Sequence, residues 1–282
     1  MSGSARGGVD LRAVRALARR DVQVVLRTRA VVLPLILVPA LIQVIIPLAL
    51  IALVRFAGDG GALDLAGDLE PLLAALPDGV RADLDRLDPS GRALALALGR
   101  LFAPLMLIVP LMVASVIAAD AFAGEKERGT LEALLHAPVR ARDLFLGKLL
   151  AAWVPAVAVG LAGTAAYAVV VTVAAWPLTG GPFLPASVWL PLALFVGPAV
   201  ALAGLGATVV VSARVRTFQE AYQLGGIVVL PVVGLVVAQA TGAAVLDARA
   251  MLWIGAAAWT AAAALLAFGL RTFHRERLAL DL

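Results

Sequence analysis

The 282-residue sequence contains no cysteine, which excludes a disulfide framework and any thiolate metal or redox centre. Histidine is almost as scarce: His136 and His274 lie far apart and form no ligand-like pair. Charge is thin as well. Charged residues make up 15% of the chain and apolar ones 62%, against roughly 25% and 45–50% in a typical globular chain. The core of so small a protein cannot absorb that much apolar surface, so lipid must; the mean hydropathy of +0.98 agrees. A pI of about 10.3 would suggest nucleic acid as the partner of a soluble chain. Here the basic residues flank apolar runs, so membrane lipid with anionic headgroups is the expected partner and nucleic acid is not.

Two further absences narrow the function. No Gly-x-x-x-x-Gly-Lys-Ser/Thr phosphate loop occurs; Gly147-Lys148 lacks both the upstream glycine and the following hydroxyl. The expected spans hold no ionisable group except Asp120, at one end, whereas proton relays and embedded transferases need buried carboxylates or histidines. No catalytic, cofactor or metal site is therefore expected.

Five stretches lack Asp, Glu, Lys and Arg altogether: 30–54, 101–119, 149–213, 221–246 and 250–270. Crossing the hydrocarbon core takes roughly 20 apolar residues. The third stretch is 65 residues long and divides at its turn cluster, Pro177 to Pro182 and Pro185, with Trp176, Phe183 and Trp189 beside it as interfacial aromatics. The first is too long, and begins too far into the chain, for a cleaved leader. The fold expected is an all-α polytopic membrane protein with six transmembrane helices, at 30–55, 101–120, 148–176, 188–213, 221–246 and 251–271. With both termini on one side, that side holds 17 Lys and Arg and the other six, which places both termini in the cytoplasm. Short turns at 177–187 and 247–250 are then external, and 214–220 and the tail 272–282 cytoplasmic.

Within 1–29, Leu11, Val14, Ala18, Val22 and Val25 recur at helical spacing opposite Arg12, Arg15, Arg19, Gln23 and Arg27. This is the pattern of an N-terminal interfacial amphipathic helix. Segment 56–100 is acidic, leucine-rich and punctuated by Pro71, Pro77 and Pro89. It reads as a small external helical insertion, and its acids do not follow the calcium-loop pattern.

The cytoplasmic segment 121–147 carries the densest signals. Gly129 breaks the helix leaving the second span, Thr130 suits an N-cap, and Glu132 falls in the first turn of a short helix. Leu131, Leu134 and Leu135 form one apolar stripe, Pro138 stops the helix, and Asp143 can cap the next. Such a stripe either inserts into a groove on another protein or packs on the chain's own span ends. Glu125 and Glu127, interleaved with Lys126 and Arg128, read as a salt-bridged helix end or subunit contact. His136 reads as a solvated surface residue.

Gly-Glu125-x-Glu127-x-Gly129-Thr130-Leu131-Glu132-x-Leu134-Leu135-x-x-Pro138, followed by Leu146-Gly147-Lys148, resembles the hallmark of type-2 ATP-binding-cassette (ABC) exporter permeases, including sodium-export-like and multidrug-export-like branches. The likeness extends to most of the chain. It implies that this segment is the coupling helix that contacts a cytosolic ABC ATPase subunit through Glu125, Glu127, Gly129, Thr130, Leu131, Glu132, Leu134, Leu135 and Pro138. It also implies a homodimer, or a heterodimer with a related permease, in the cell (inner or plasma) membrane. ATP and Mg would sit on the partner, with none bound by this chain. One departure is the turn at 243–249, which leaves little room for the re-entrant helices the family often has there. The polar span residues Gln43, Ser115, Gln223 and Gln239 are candidates for a translocation path, although interhelical hydrogen bonding is the preferred reading of each. A stand-alone secondary transporter and a membrane-embedded enzyme remain the alternatives.

Overall fold

The computed structural model describes residues 11–27, 29–129 and 141–272, and every regular element among them is helical. Helix α1 spans Leu11–Arg27. Helix α2 starts at Arg29, carries the apolar stretch Val32–Phe56 and continues to Asp68. Two short helices follow, α3 (Glu70–Ala75) and α4 (Asp78–Leu84). Then come α5 (Pro89–Glu127), α6 (Ala141–Thr179), α7 (Ala186–Ser212), α8 (Phe218–Ala240) and α9 (Ala248–Thr272). Six of these, α2 and α5 to α9, are long and apolar enough to cross a membrane, so the chain is an all-α polytopic membrane protein.

The 65-residue apolar run divides where proline and glycine cluster: α6 ends at Thr179, Gly180 turns with a φ of +68°, and α7 begins at Ala186. The helix that carries the second span is longer than the span expected at 101–120. It begins at Pro89, not near 101, because Asp88 accepts a hydrogen bond from the Gly91 N–H at 3.0 Å and so caps it. Leu94, Leu96 and Leu98 are fully buried in this added stretch. Arg92 and Arg100 therefore ride on a packed helix, with Arg92 paired to Asp85 at 3.0 Å. Leu69 and Leu76, beside α3, and Leu96 and Ala97 on α5 form a small core with Val245 from the turn between α8 and α9. That turn, Thr241 to Asp247, contains no helix.

Helix α5 is the centre of the bundle. Of its most apolar window 78% is buried, against 17% in α2, α8 and α9, and it packs on α2, α6, α7 and α8. Large apolar residues on the outer helices, such as Leu37 on α2, Val173 on α6 and Trp253 on α9, stay exposed. That is the pattern expected of surfaces turned to lipid.

Helix widening is the recurrent local feature. Single π turns occur at Leu41–Ile45, Ala97–Leu101, Asp120–Gly124 and Leu192–Val196. Three of them lead into a proline: Pro47, Pro104 and Pro198. A proline has no N–H and its ring collides with the carbonyl four residues earlier, here Gln43, Arg100 and Leu194. One extra residue in the turn makes room for the ring.

Around Pro104, side chains bond the loosened carbonyls. Tyr167 Oη donates to the Leu98 carbonyl at 2.7 Å, Trp189 Nε1 to Gly99 at 2.9 Å, and Gln239 Nε2 to Arg100 at 3.0 Å. Three consecutive carbonyls of α5 are thus held by α6, α7 and α8. The Tyr167 and Trp189 rings stack at 4.9 Å, and Phe102 stacks on Tyr167 at 6.2 Å. Trp189, which the sequence suggested as an interfacial aromatic, is buried here because its N–H is needed inside the bundle.

Removing one of these donors strands a buried carbonyl. Tyr167→Phe is expected to lower stability by about 1 kcal/mol, and a double-mutant cycle with Trp189→Phe should show coupling through the stacked rings. Thermal unfolding of the purified protein in detergent measures both.

Candidate functional site at the base of the central helix

The site is built where α5 leaves the bundle. Its last π turn, Asp120–Gly124, closes with the Glu125 N–H donating to the Asp120 carbonyl. One further turn, Glu125–Glu127, ends at Gly129, whose φ of +68° takes the left-handed conformation of a helix stop.

Helix α1 crosses α6 beside this end. The crossing is close because Gly147 has no side chain: a Cβ there would lie 2.9 Å from Leu17 Cβ and 3.3 Å from the Val14 carbonyl. The next residue, Lys148, is fully buried. Its Nζ donates to Glu125 Oε2 at 2.6 Å and to the Ala121 carbonyl at 2.8 Å. Asp21 Oδ2 of α1 lies 3.8 Å away, and the Phe122 ring centroid 5.6 Å away. A buried ammonium loses several kcal/mol of hydration unless carboxylates and carbonyls replace the water. Asp21 and Glu125, both buried, supply that replacement, so one cation joins α1, α5 and α6.

Two further contacts fix the same end. Arg128 donates through NH1 to Asp120 Oδ1 at 2.9 Å and through NH2 to the Asp120 carbonyl at 3.4 Å. Glu127 Oε2 accepts the Phe218 N–H at 2.8 Å, the first N–H of α8. Thr217 caps the same helix by accepting the Glu220 N–H at 3.2 Å. A carboxylate at a helix N-terminus answers unpaired N–H groups and the helix dipole together. The exit of α5 is thereby tied to α1, α6 and α8.

Of the residues expected to contact an ATPase, Glu125 turns inward onto Lys148, Glu127 caps α8, and Gly129 ends the helix. Thr130, Leu131, Glu132, Leu134, Leu135 and Pro138 lie outside the described residues, as does His136. Asp143, expected as a cap, sits within the first turn of α6 and is buried. The four path candidates do not converge. Gln43 lies against Gly163 of α6, Ser115 against Gly204 of α7, and Gln239 bonds the Arg100 carbonyl of α5. Gln223 is exposed near the start of α8.

Asp21 and Lys148 were not singled out from the sequence as site residues. The signal for Asp21 was present: it lies seven residues after Val14, on the apolar stripe, and is the one acid in a helix rich in arginine. Lys148→Met would leave two buried carboxylates facing each other and is expected to cost about 3–5 kcal/mol. Adding Glu125→Gln to Lys148→Met should recover part of the loss. Thermal melts of both variants in detergent test the pair.

A family profile described as ABC-2 family transporter protein matches residues 15–250. No curated protein matches the chain. The matched region runs from α1, through the bound exit of α5, to the start of α9. The chain belongs to the ABC-2 family of transporter proteins and is a membrane-spanning permease component of an ABC transporter.

Proposed function

We propose that this permease is driven by ATP hydrolysis on a separate cytosolic ABC ATPase subunit and works as an exporter. The observation that carries the reading is the bound exit of α5. The segment after Gly129 hangs from a stem joined to α1, α6 and α8 by Lys148, Glu125, Asp21 and Glu127. A force applied to the segment therefore reaches three helices at once. Its leucines, Leu131, Leu134 and Leu135, supply an apolar stripe suited to a groove on the ATPase. In the sequence, Thr130, Glu132 and Pro138 are the start and stop signals of the short helix expected there. Glu125 and Glu127 support the contact from behind by holding the stem.

The Lys and Arg counts support a cytoplasmic position for both termini and this segment, in a chain that we read as residing in the cell (inner or plasma) membrane. Two copies, or one copy and a relative, would enclose a path between them. Closure of two ATPase subunits would favour one packing of the spans through its differential contacts with the two states. The apolar runs 30–54, 101–119, 149–213, 221–246 and 250–270 contain no Asp, Glu, Lys, Arg or His. That suits a lipid-like or amphipathic cargo and weighs against a proton-coupled carrier acting alone or an embedded enzyme.

The double substitution Leu134→Asp with Leu135→Asp should release the ATPase while membrane insertion stays intact. Co-purification and coupled ATP hydrolysis in the reconstituted complex check this; undiminished binding together with undiminished coupling would defeat the assignment. ATPase stimulation by lipids, drugs and sodium, compared on the same complex, would sort the cargo.

A further inference from the structure

A groove of about 990 Å³ runs between α1 and the early turns of α6. One wall is α1, with Val14, Ala18 and Val22 at its base and Arg15, Arg19 and Gln23 at its rim; the other is Leu150, Ala151, Val154 and Pro155. Below it Gly147 lets the two helices touch, so the groove opens away from a fixed crossing. Arg15 and Arg19 are exposed, and neither forms an ion pair with a described carboxylate. Leu150 and Val154 are 41% and 53% exposed. The same two arginines also border a second, smaller hollow of about 490 Å³ on the outer side of α1, with Arg12, Ala16 and Arg20.

The two walls want different things. Two guanidiniums on adjacent turns of one helix face present forked donors that match a phosphate. An aliphatic strip beside them, continuous with the exposed face of a membrane-spanning helix, is matched by an acyl chain. Free inorganic phosphate would leave that strip uncovered, and a neutral lipid would leave the arginines uncompensated.

We propose that this groove binds one anionic glycerophospholipid of the surrounding bilayer, its phosphate between Arg15 and Arg19 and an acyl chain along Leu150 and Val154. Bound there, the lipid braces α1 against α6. The site rests on the membrane placement of the chain and not on the ATPase reading, and its test needs no ATPase.

The test uses the full chain, purified in mild detergent and exchanged with phosphatidylglycerol or phosphatidylcholine, with retained lipid counted by native mass spectrometry. Wild type should retain phosphatidylglycerol in preference. Arg15→Gln with Arg19→Gln should weaken that retention roughly twenty-five-fold, about five-fold for each arginine. Arg249→Gln, an exposed arginine at the far end of the bundle, should leave it unchanged, and Val154→Trp, which fills the groove, should reduce it without removing charge. Inorganic phosphate at millimolar concentration should not displace the lipid. Equal retention by wild type and the double arginine variant, or an equal loss in Arg249→Gln, overturns the proposal. So does displacement by phosphate alone, or a Val154→Trp chain that loses a dimer in sedimentation while keeping its lipid, since a second copy would then fill the groove.

Discussion

One ammonium group, on Lys148, sets the terms for one end of this molecule. It has no access to water, and a lysine so placed must find acceptors within reach. The acceptors come from three parts of the sequence: Asp21 of α1, the Ala121 carbonyl and Glu125 at the end of α5. None of the three helices can shift alone without leaving a charge unpaired in an apolar setting. Gly147 serves the same arrangement, because only a residue without a side chain admits α1 close enough for Asp21 to approach Lys148. The dipeptide that superficially suggests a nucleotide loop is thus a packing glycine followed by a structural cation.

The opposite half is organised by hydrogen bonds to loosened backbone, with no ion pair at its centre. A proline in α5 disturbs the ladder, and an aromatic pair and an amide from three other helices bond the carbonyls just before it. In lipid such carbonyls find no water, so their donors must come from neighbouring helices. The central helix is therefore pinned at both ends by different means: neutral donors at one, buried charge at the other. Between them lies a stretch of small and branched apolar residues, Val109 to Ala119, packed on α6 and α7.

Much of this was legible in the chain. Runs without charge gave the six spans, since lipid penalises charge wherever it is placed, and the two helices of the longest run are separated at the Pro/Gly cluster after Trp176. The start of α5 was not legible. Arg92 and Arg100 interrupt the apolar pattern there, and only tertiary contacts show that the intervening leucines face a core. The motif after the second span was visible as a pattern, but spacing cannot tell an outward carboxylate from an inward one. Glu125 and Glu127 are two residues apart and nearly opposite on a helix, and they serve different neighbours. The polar span residues Gln43, Ser115 and Gln239 meet different helices, and Gln239 bonds the Arg100 carbonyl. Nothing in their spacing could reveal which helix each one meets.

The π turn at Asp120–Gly124 differs from the other three in having no proline directly after it, so steric relief does not account for it. Its effect is angular. A surplus residue rotates everything beyond it by about 100° relative to an uninterrupted α-helix. Shortened by one residue at that point, α5 would aim its final carboxylates a quarter-turn or more away from the lysine and from the first amide of α8. The bulge acts as an indexing step between two halves of one helix, so that the apolar half can keep its fit in the bundle while the charged half is dialled to a different set of neighbours.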